Sequence, residues 1–184
     1  MNSPLRDSRR SSIALIGMRC CGKTSVGRAL ASLRGMDLVD TDLLICEATG
    51  RSIAQIFALE GEAGFRTHER EAVRRALELA PAVISVGGGA VLDARNVEAL
   101  RKGSTMVWLT APTEVLWERM KGDATTVDSR PPLTALPGLD EVTHLLAKRQ
   151  SYYEAAADCT VDASTKTPGA IANEIVAKLA SERA

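Results

Sequence analysis

At 184 residues the chain is long enough to fill one sizeable core and short for two of ordinary size. Lys plus Arg and Asp plus Glu both number 23, so the formal net charge is zero and the basic field of a nucleic-acid binder is missing. Two Phe, two Trp and two Tyr are too few for base-stacking platforms, and no apolar run approaches the ~18 residues of a membrane-spanning helix. Cys20, Cys21, Cys46 and Cys159 show neither C-x-x-C spacing nor a neighbouring His cluster. They are expected to be reduced thiols in a cytoplasmic protein rather than zinc ligands or a disulfide framework. Residues 1–11 are polar, carry Arg6, Arg9 and Arg10, and are expected to be a flexible leader to a single domain over 12–184.

Ser12 to Ile16 is a short apolar run ending at Gly17, the pattern of a strand buried on both faces. A helix is predicted over 23–34, with Val26, Ala29, Leu30 and Leu33 at helical spacing and Gly35 as the stop. Leu38-Val39 reads as a second strand running into Asp40-Thr41-Asp42, followed by a helix over 43–49. Ser52 opens another helix, and Gln55 completes a capping box. A longer helix is predicted over 62–79, stopped by Pro81, then a strand over 82–86 leading into Gly87-Gly88-Gly89. Asp93 suits the N-cap of the next helix, which Gly103 ends.

A strand over 105–109 and a helix over 113–120 follow. The segment 122–138 then breaks the rhythm with prolines, glycines, Asp, Thr and Ser, and is expected to be a long mobile loop. A helix over 139–157, a strand over 159–161 and a helix over 168–179 complete the pattern. Strands alternating with helices, each strand apolar, argue for a parallel sheet between helical layers. That architecture hosts many activities, so the motifs must decide.

Gly17-Met18-Arg19-Cys20-Cys21-Gly22-Lys23-Thr24 matches G-x-x-x-x-G-K-[ST], between a buried strand and a helix. Backbone N–H groups of such a loop, together with the helix N-terminus, surround nucleotide phosphates. Lys23 would reach the β- and γ-phosphates, and the Thr24 hydroxyl would face Mg²⁺. The third strand ends in glycines rather than in the aspartate usual for a motor or switch NTPase. Asp40 and Asp42 are the only acidic pair directly after a strand. One can hold the metal's water shell while the other reaches a substrate hydroxyl; the competing reading is a solvated turn with an N-cap.

These motifs continue in order through G-R-S-I-A-Q-I-F (50–57), G-E-x-x-F-R-x-x-E (61–69), G-G-G-A-V (87–91), S-R-P-P-L (129–133) and A-K-R-x-x-Y-Y (147–153). In this the chain resembles the shikimate kinases, of the nucleoside-monophosphate-kinase-like P-loop group, over roughly residues 13–179. The resemblance implies a three-layer α/β/α P-loop fold with a five-stranded parallel sheet in the order 2-3-1-4-5. It also implies a substrate-binding helical segment over 43–79 and a mobile lid over about 122–138. The implied reaction moves the γ-phosphate of ATP to the 3-hydroxyl of shikimate, with Mg²⁺ as cofactor and no nucleic-acid or membrane partner; a monomer is expected.

By the same resemblance Asp42 takes the acceptor hydroxyl, Arg66 and Arg149 hold the acceptor carboxylate, and Gly88 contacts its ring through the backbone. A planar guanidinium can meet a carboxylate with two N–H···O bonds. Glu69, three residues after Arg66, is expected to buttress that arginine. Cys20, Cys21, Gly22, Lys23, Thr24 and Ser25 fall at the ATP phosphates, Arg119 and Pro168 at the adenine, Thr24 and Asp40 at Mg²⁺. Arg130 matches a lid arginine that closes over ATP, and Lys23, Asp42 and Arg130 form the implied catalytic set. One departure is Cys20-Cys21, where the family has Gly and a small residue; it puts side-chain bulk beside the phosphates. Two rivals are a related kinase of small metabolites such as gluconate, and a nucleotide-binding regulator without chemistry.

Overall fold

The computed structural model describes residues 12–122 and 136–181. Five parallel strands, β1 (Ser12–Ile16), β2 (Asp37–Asp40), β3 (Ala82–Ser85), β4 (Ser104–Thr110) and β5 (Cys159–Asp162), lie in the order β2-β3-β1-β4-β5. The helices are α1 (Lys23–Arg34), α2 (Thr41–Thr49), α3 (Ile53–Glu78), α4 (Ala94–Gly103), α5 (Thr113–Gly122), α6 (Gly138–Ala156) and α7 (Pro168–Ser181). A short 3₁₀ turn, Ala90–Leu92, follows the three glycines. This is the α/β/α architecture and strand order of P-loop kinases.

Central β1 pairs with β3 on one side and β4 on the other, Ala14 facing Ile84 and Met106. All five of its residues are buried, so the sheet centre has no wet face. The expectation that every strand is doubly buried fails at the edges. In β2 only Val39 is buried and in β5 only Val161, because each edge strand has a neighbour on one side only.

Local signals set the helix ends. Gly35 takes a left-handed conformation (φ 60°) after α1, and its N–H reaches back to Ala31 and Ser32 carbonyls. Ser52 and Gln55 form the reciprocal capping box at the start of α3. Asp93 caps α4 by accepting from Arg95 N–H.

Three differences from the sequence reading bear on the site. α2 begins at Thr41 rather than at residue 43, so Asp42 stands in the first helical turn and not in a loop. The two helices predicted over 52–79 form one run, broken at Gly61 (φ 67°, ψ −172°). Gly122 closes α5 and Gly138 opens α6, so both ends of the predicted loop are helical; positions 123–135 of the expected lid lie outside the described residues. Among those residues, no helix is long and apolar enough to cross a membrane.

Candidate active site

The carboxyl ends of β1, β2 and β3 open onto two adjoining cavities. The larger, about 600 Å³, is lined by Arg19 to Thr24 of the loop after β1 and reaches out to Arg119 and Pro168. Gly22 caps α1 in a left-handed conformation (φ 102°) with no side-chain hydrogen bond to the helix start. The first N–H groups of α1 are thus left for an anion, where the helix dipole also favours negative charge.

Lys23 is 9% exposed, and its Nζ donates to the carbonyls of Gly17 and Met18, both at 2.8 Å. The loop is therefore held in a cradle by its own ammonium group. Cys21 is buried, with Sγ 3.9 Å from Lys23 Nζ, whereas half-buried Cys20 adopts a positive φ of 61°. Both line the cavity, as do Gly22, Thr24 and Ser25.

Asp40 makes two contacts at once. Its Oδ1 accepts from the Asp42 N–H at 3.0 Å as the N-cap of α2, and its Oδ2 accepts from the Thr24 hydroxyl at 3.0 Å. Two oxygen donors thus meet beside the phosphate cradle, a set suited to a small hard cation that keeps several waters. At the far end Arg119 donates to the Ala163 and Ser164 carbonyls at 2.7 and 2.9 Å. That fixes the guanidinium against the turn leading to Pro168.

The second cavity is walled by α2, α3, the glycine turn after β3, and α6. It collects Asp42, Arg66, Gly88 and Arg149, four residues distant in sequence. Asp42, Gly87, Gly88 and Arg19 line both cavities and so stand at their junction. Arg66 is gripped twice on α3: Nη1 donates to Glu69 and Nη2 to Glu62, each at 2.8 Å. A side chain at position 89 would meet the Arg66 guanidinium at 2.6 Å, so glycine there lets the arginine lie against the turn.

Burial works against the charge on Arg66, but Glu69 and Glu62 outweigh it and raise its pKa. Glu69 is 1% exposed, and burial pushes its carboxyl pKa upward against the pull of Arg66; nearby Asp42 adds to the rise and Arg149 opposes it. Its Oε1 has no hydrogen-bond partner among the described residues. That oxygen lies 3.0 Å, and Asp42 Oδ1 3.1 Å, from the point a Gly87 side chain would occupy. Both carboxyl groups therefore crowd the same glycine.

Arg149 is 8% exposed and lies against Met18 of the phosphate loop, Nη1 to Sδ 4.0 Å. Arg130, the expected lid arginine, lies outside the described residues.

Several neighbours escaped the sequence reading. Arg19 pairs with Glu141 on α6 at 3.2 Å, tying the phosphate loop to the helix that carries Arg149. Phe57 and Phe65 stack at 4.6 Å to form the apolar wall of the second cavity. Glu62 stands four residues before Arg66, an i,i+4 spacing that could have revealed it. Arg19 and Glu141 are 122 positions apart, and nothing in the local sequence links them.

A family model for shikimate kinase matches residues 19–180. Shikimate kinase 2 of Erwinia tasmaniensis is 41% identical over 172 residues, covering 94% of this chain and 97% of that protein. The shikimate kinase of Moorella thermoacetica is 44% identical over 163 residues, covering 89% and 91% respectively. Among solved structures, shikimate kinase from Acinetobacter baumannii in complex with shikimate superposes with a TM-score of 0.86 at 32% identity, covering 93% of each chain. With this extent of likeness, and with a phosphate cradle and a two-arginine cavity meeting at one aspartate, the chain belongs to the shikimate kinase family.

Proposed function

We propose that the protein transfers the γ-phosphate of ATP to the 3-hydroxyl of shikimate, yielding shikimate 3-phosphate and ADP. The observation that carries this reading is the junction at Asp42. On one side lies a cradle for phosphates, on the other a cavity with two guanidinium groups. An acceptor with a carboxylate at one end and a hydroxyl at the other spans that distance in one orientation only, carboxylate on Arg66 and Arg149, hydroxyl at Asp42.

Each residue then has a defined task. The amide groups at the start of α1 and the Lys23 ammonium neutralise the β- and γ-phosphates. Lys23 reaches them by leaving the Gly17 and Met18 carbonyls that it holds at 2.8 Å. Asp42 orients the acceptor hydroxyl and takes its proton as the phosphoryl group arrives. Thr24 and Asp40 would hold Mg²⁺, which when bound spreads the charge developing on the transferring phosphoryl group. Arg119 and Pro168 flank the adenine, Gly88 meets the acceptor ring, and Arg130 is assigned the transferring phosphate's charge from outside the described residues.

An ADP-release assay with Mg²⁺-ATP tests this directly. Shikimate should be turned over far faster than quinate, gluconate, AMP or no acceptor. Comparable turnover of gluconate or AMP overturns the acceptor assignment, and no acceptor-dependent release of ADP overturns the kinase reading.

A further inference from the structure

Tyr153 takes no part in the chemistry above, yet it heads the fully buried side chains in size, with no exposed surface. Its ring stacks on Trp108 of β4, centroids 5.7 Å apart and planes 20° apart. Its hydroxyl donates to the carbonyl of Gly88. Arg149 stands one turn earlier on the same helix, α6.

Gly87-Gly88-Gly89 has no side chains with which to hold a shape, and glycine is the residue with the most backbone freedom. The turn must be fixed from outside, and two buried hydroxyls do it. At its start, Gly87 N–H donates to Thr41 Oγ1 at 3.0 Å, and Thr41 in turn donates to Ser85 O at 3.3 Å. In its middle, Tyr153 takes the Gly88 carbonyl. Because a peptide unit is planar, anchoring that carbonyl also fixes the direction of the Gly89 N–H. The anchored unit is confined on both sides. Arg66 lies against Gly89, and a Cβ on Gly88 would come within 3.3 Å of Arg19 N and Gly17 O of the phosphate loop.

We propose that Tyr153 is a positioning residue for the acceptor: its phenol orients the Gly88 peptide and so sets the backbone contact at the junction of the two cavities. This rests on the assignment of Gly88 to the acceptor. Burial raises the Tyr153 pKa, so the group remains a donor throughout the physiological range. A buried phenol seeks a partner, and here that partner belongs to the site.

Tyr153→Phe keeps the ring and its stacking on Trp108 and removes the donor. Shikimate affinity, measured by calorimetry, should weaken about ten-fold, since the Gly88 carbonyl loses its partner. ATP affinity should change less than two-fold. A destabilising core change elsewhere, Leu179→Ala, should lower Tm while leaving both affinities as they were. Shikimate affinity within two-fold of wild type overturns the proposal, as does an equal loss of ATP affinity, which would mark Tyr153 as a core residue only. Should Tyr153→Phe fail to fold, 3,5-difluorotyrosine at position 153 preserves the shape with a stronger donor. It must shift shikimate affinity at least two-fold and spare ATP, and no shift overturns the proposal. Wild-type protein that binds no shikimate removes the acceptor reading and this proposal together, whereas normal wild-type affinity with an indifferent Tyr153→Phe removes this proposal alone.

Discussion

The nucleotide end and the acceptor end of the site are built by opposite means. The cradle comes from one contiguous stretch, Gly17 to Thr24, and works mostly through backbone N–H groups that any sequence of the right shape would present. The acceptor cavity is made of side chains from α2, α3 and α6, gathered around a turn that has none of its own. A site made of backbone tolerates side-chain loss, because its binding groups belong to the chain itself. A site made of buried charged side chains does not, because each deletion leaves a partner unpaired in a poorly solvated space.

The largest expected effect tests the point where the two ends meet. Asp42→Asn should lower kcat by ~10²–10⁴-fold, the usual worth of a positioned proton acceptor. Steady-state kinetics at saturating substrates would read it. A loss under ten-fold would reduce Asp42 to the role of orienting the hydroxyl.

Next comes the acceptor end alone. Arg149→Ala should cost ~2–5 kcal/mol in shikimate binding, the usual loss when one member of a desolvated charge pair is removed. ATP affinity should stay nearly constant. Equal weakening of both would mean that contact with Met18 makes Arg149 part of the cradle.

A smaller effect is expected at the nucleotide end. Arg119→Ala removes two hydrogen bonds to the Ala163 and Ser164 carbonyls and should raise the KM for ATP several-fold, about 1 kcal/mol. The KM for shikimate should not move. If Arg119→Ala proved as damaging as Arg149→Ala, the contrast between a backbone-built and a side-chain-built end would collapse.

The smallest effect lies outside both ends. Asp93 caps α4 and accepts from Arg95 and Arg70, which hold its pKa down to about 2. Hydrogen bonding by Arg95 leads that shift. A carboxylate with a depressed folded-state pKa contributes stability above its ordinary value of 3.8, and that contribution is lost as pH falls toward about 2. Asp93→Ala should cost ~1 kcal/mol near neutral pH and flatten the fall in Tm between pH 4 and pH 2, with kinetics unaffected.

The same contrast decided how much could be read from the sequence. The Gly17–Thr24 loop, the ends of α1 and the start of α3 were legible because the interactions that fix them span a few residues: a glycine cap, a run of amides, a capping box. Asp40 was legible only as a choice, since an N-cap and a neighbour of Thr24 need the same carboxylate and it turned out to serve as both. Arg66 and Arg149 carried no local signal. Arg66 with Glu69 reads as an ordinary surface pair until α3 is packed, when Glu69 falls to 1% exposure. Only the ordered set of motifs pointed to that cavity. Arg19 with Glu141, and Tyr153 with Gly88, join residues 122 and 65 positions apart and became visible only in three dimensions.

The break in α3 has a consequence of another kind. Gly61 separates a rod bearing Ile53 and Phe57 from a rod bearing Phe65, Arg66 and Glu69, and the Phe57–Phe65 stack clips the two together. A Cβ at position 61 would meet nothing within 4 Å, so only backbone conformation reserves the place for glycine. The angle between the two rods is thus set at a joint that has room for a side chain, with the Phe57–Phe65 stack as its clip. A change there could widen or narrow the cavity while every residue that touches the acceptor stays the same. The shape of the site and its chemistry are, in this fold, separately inherited.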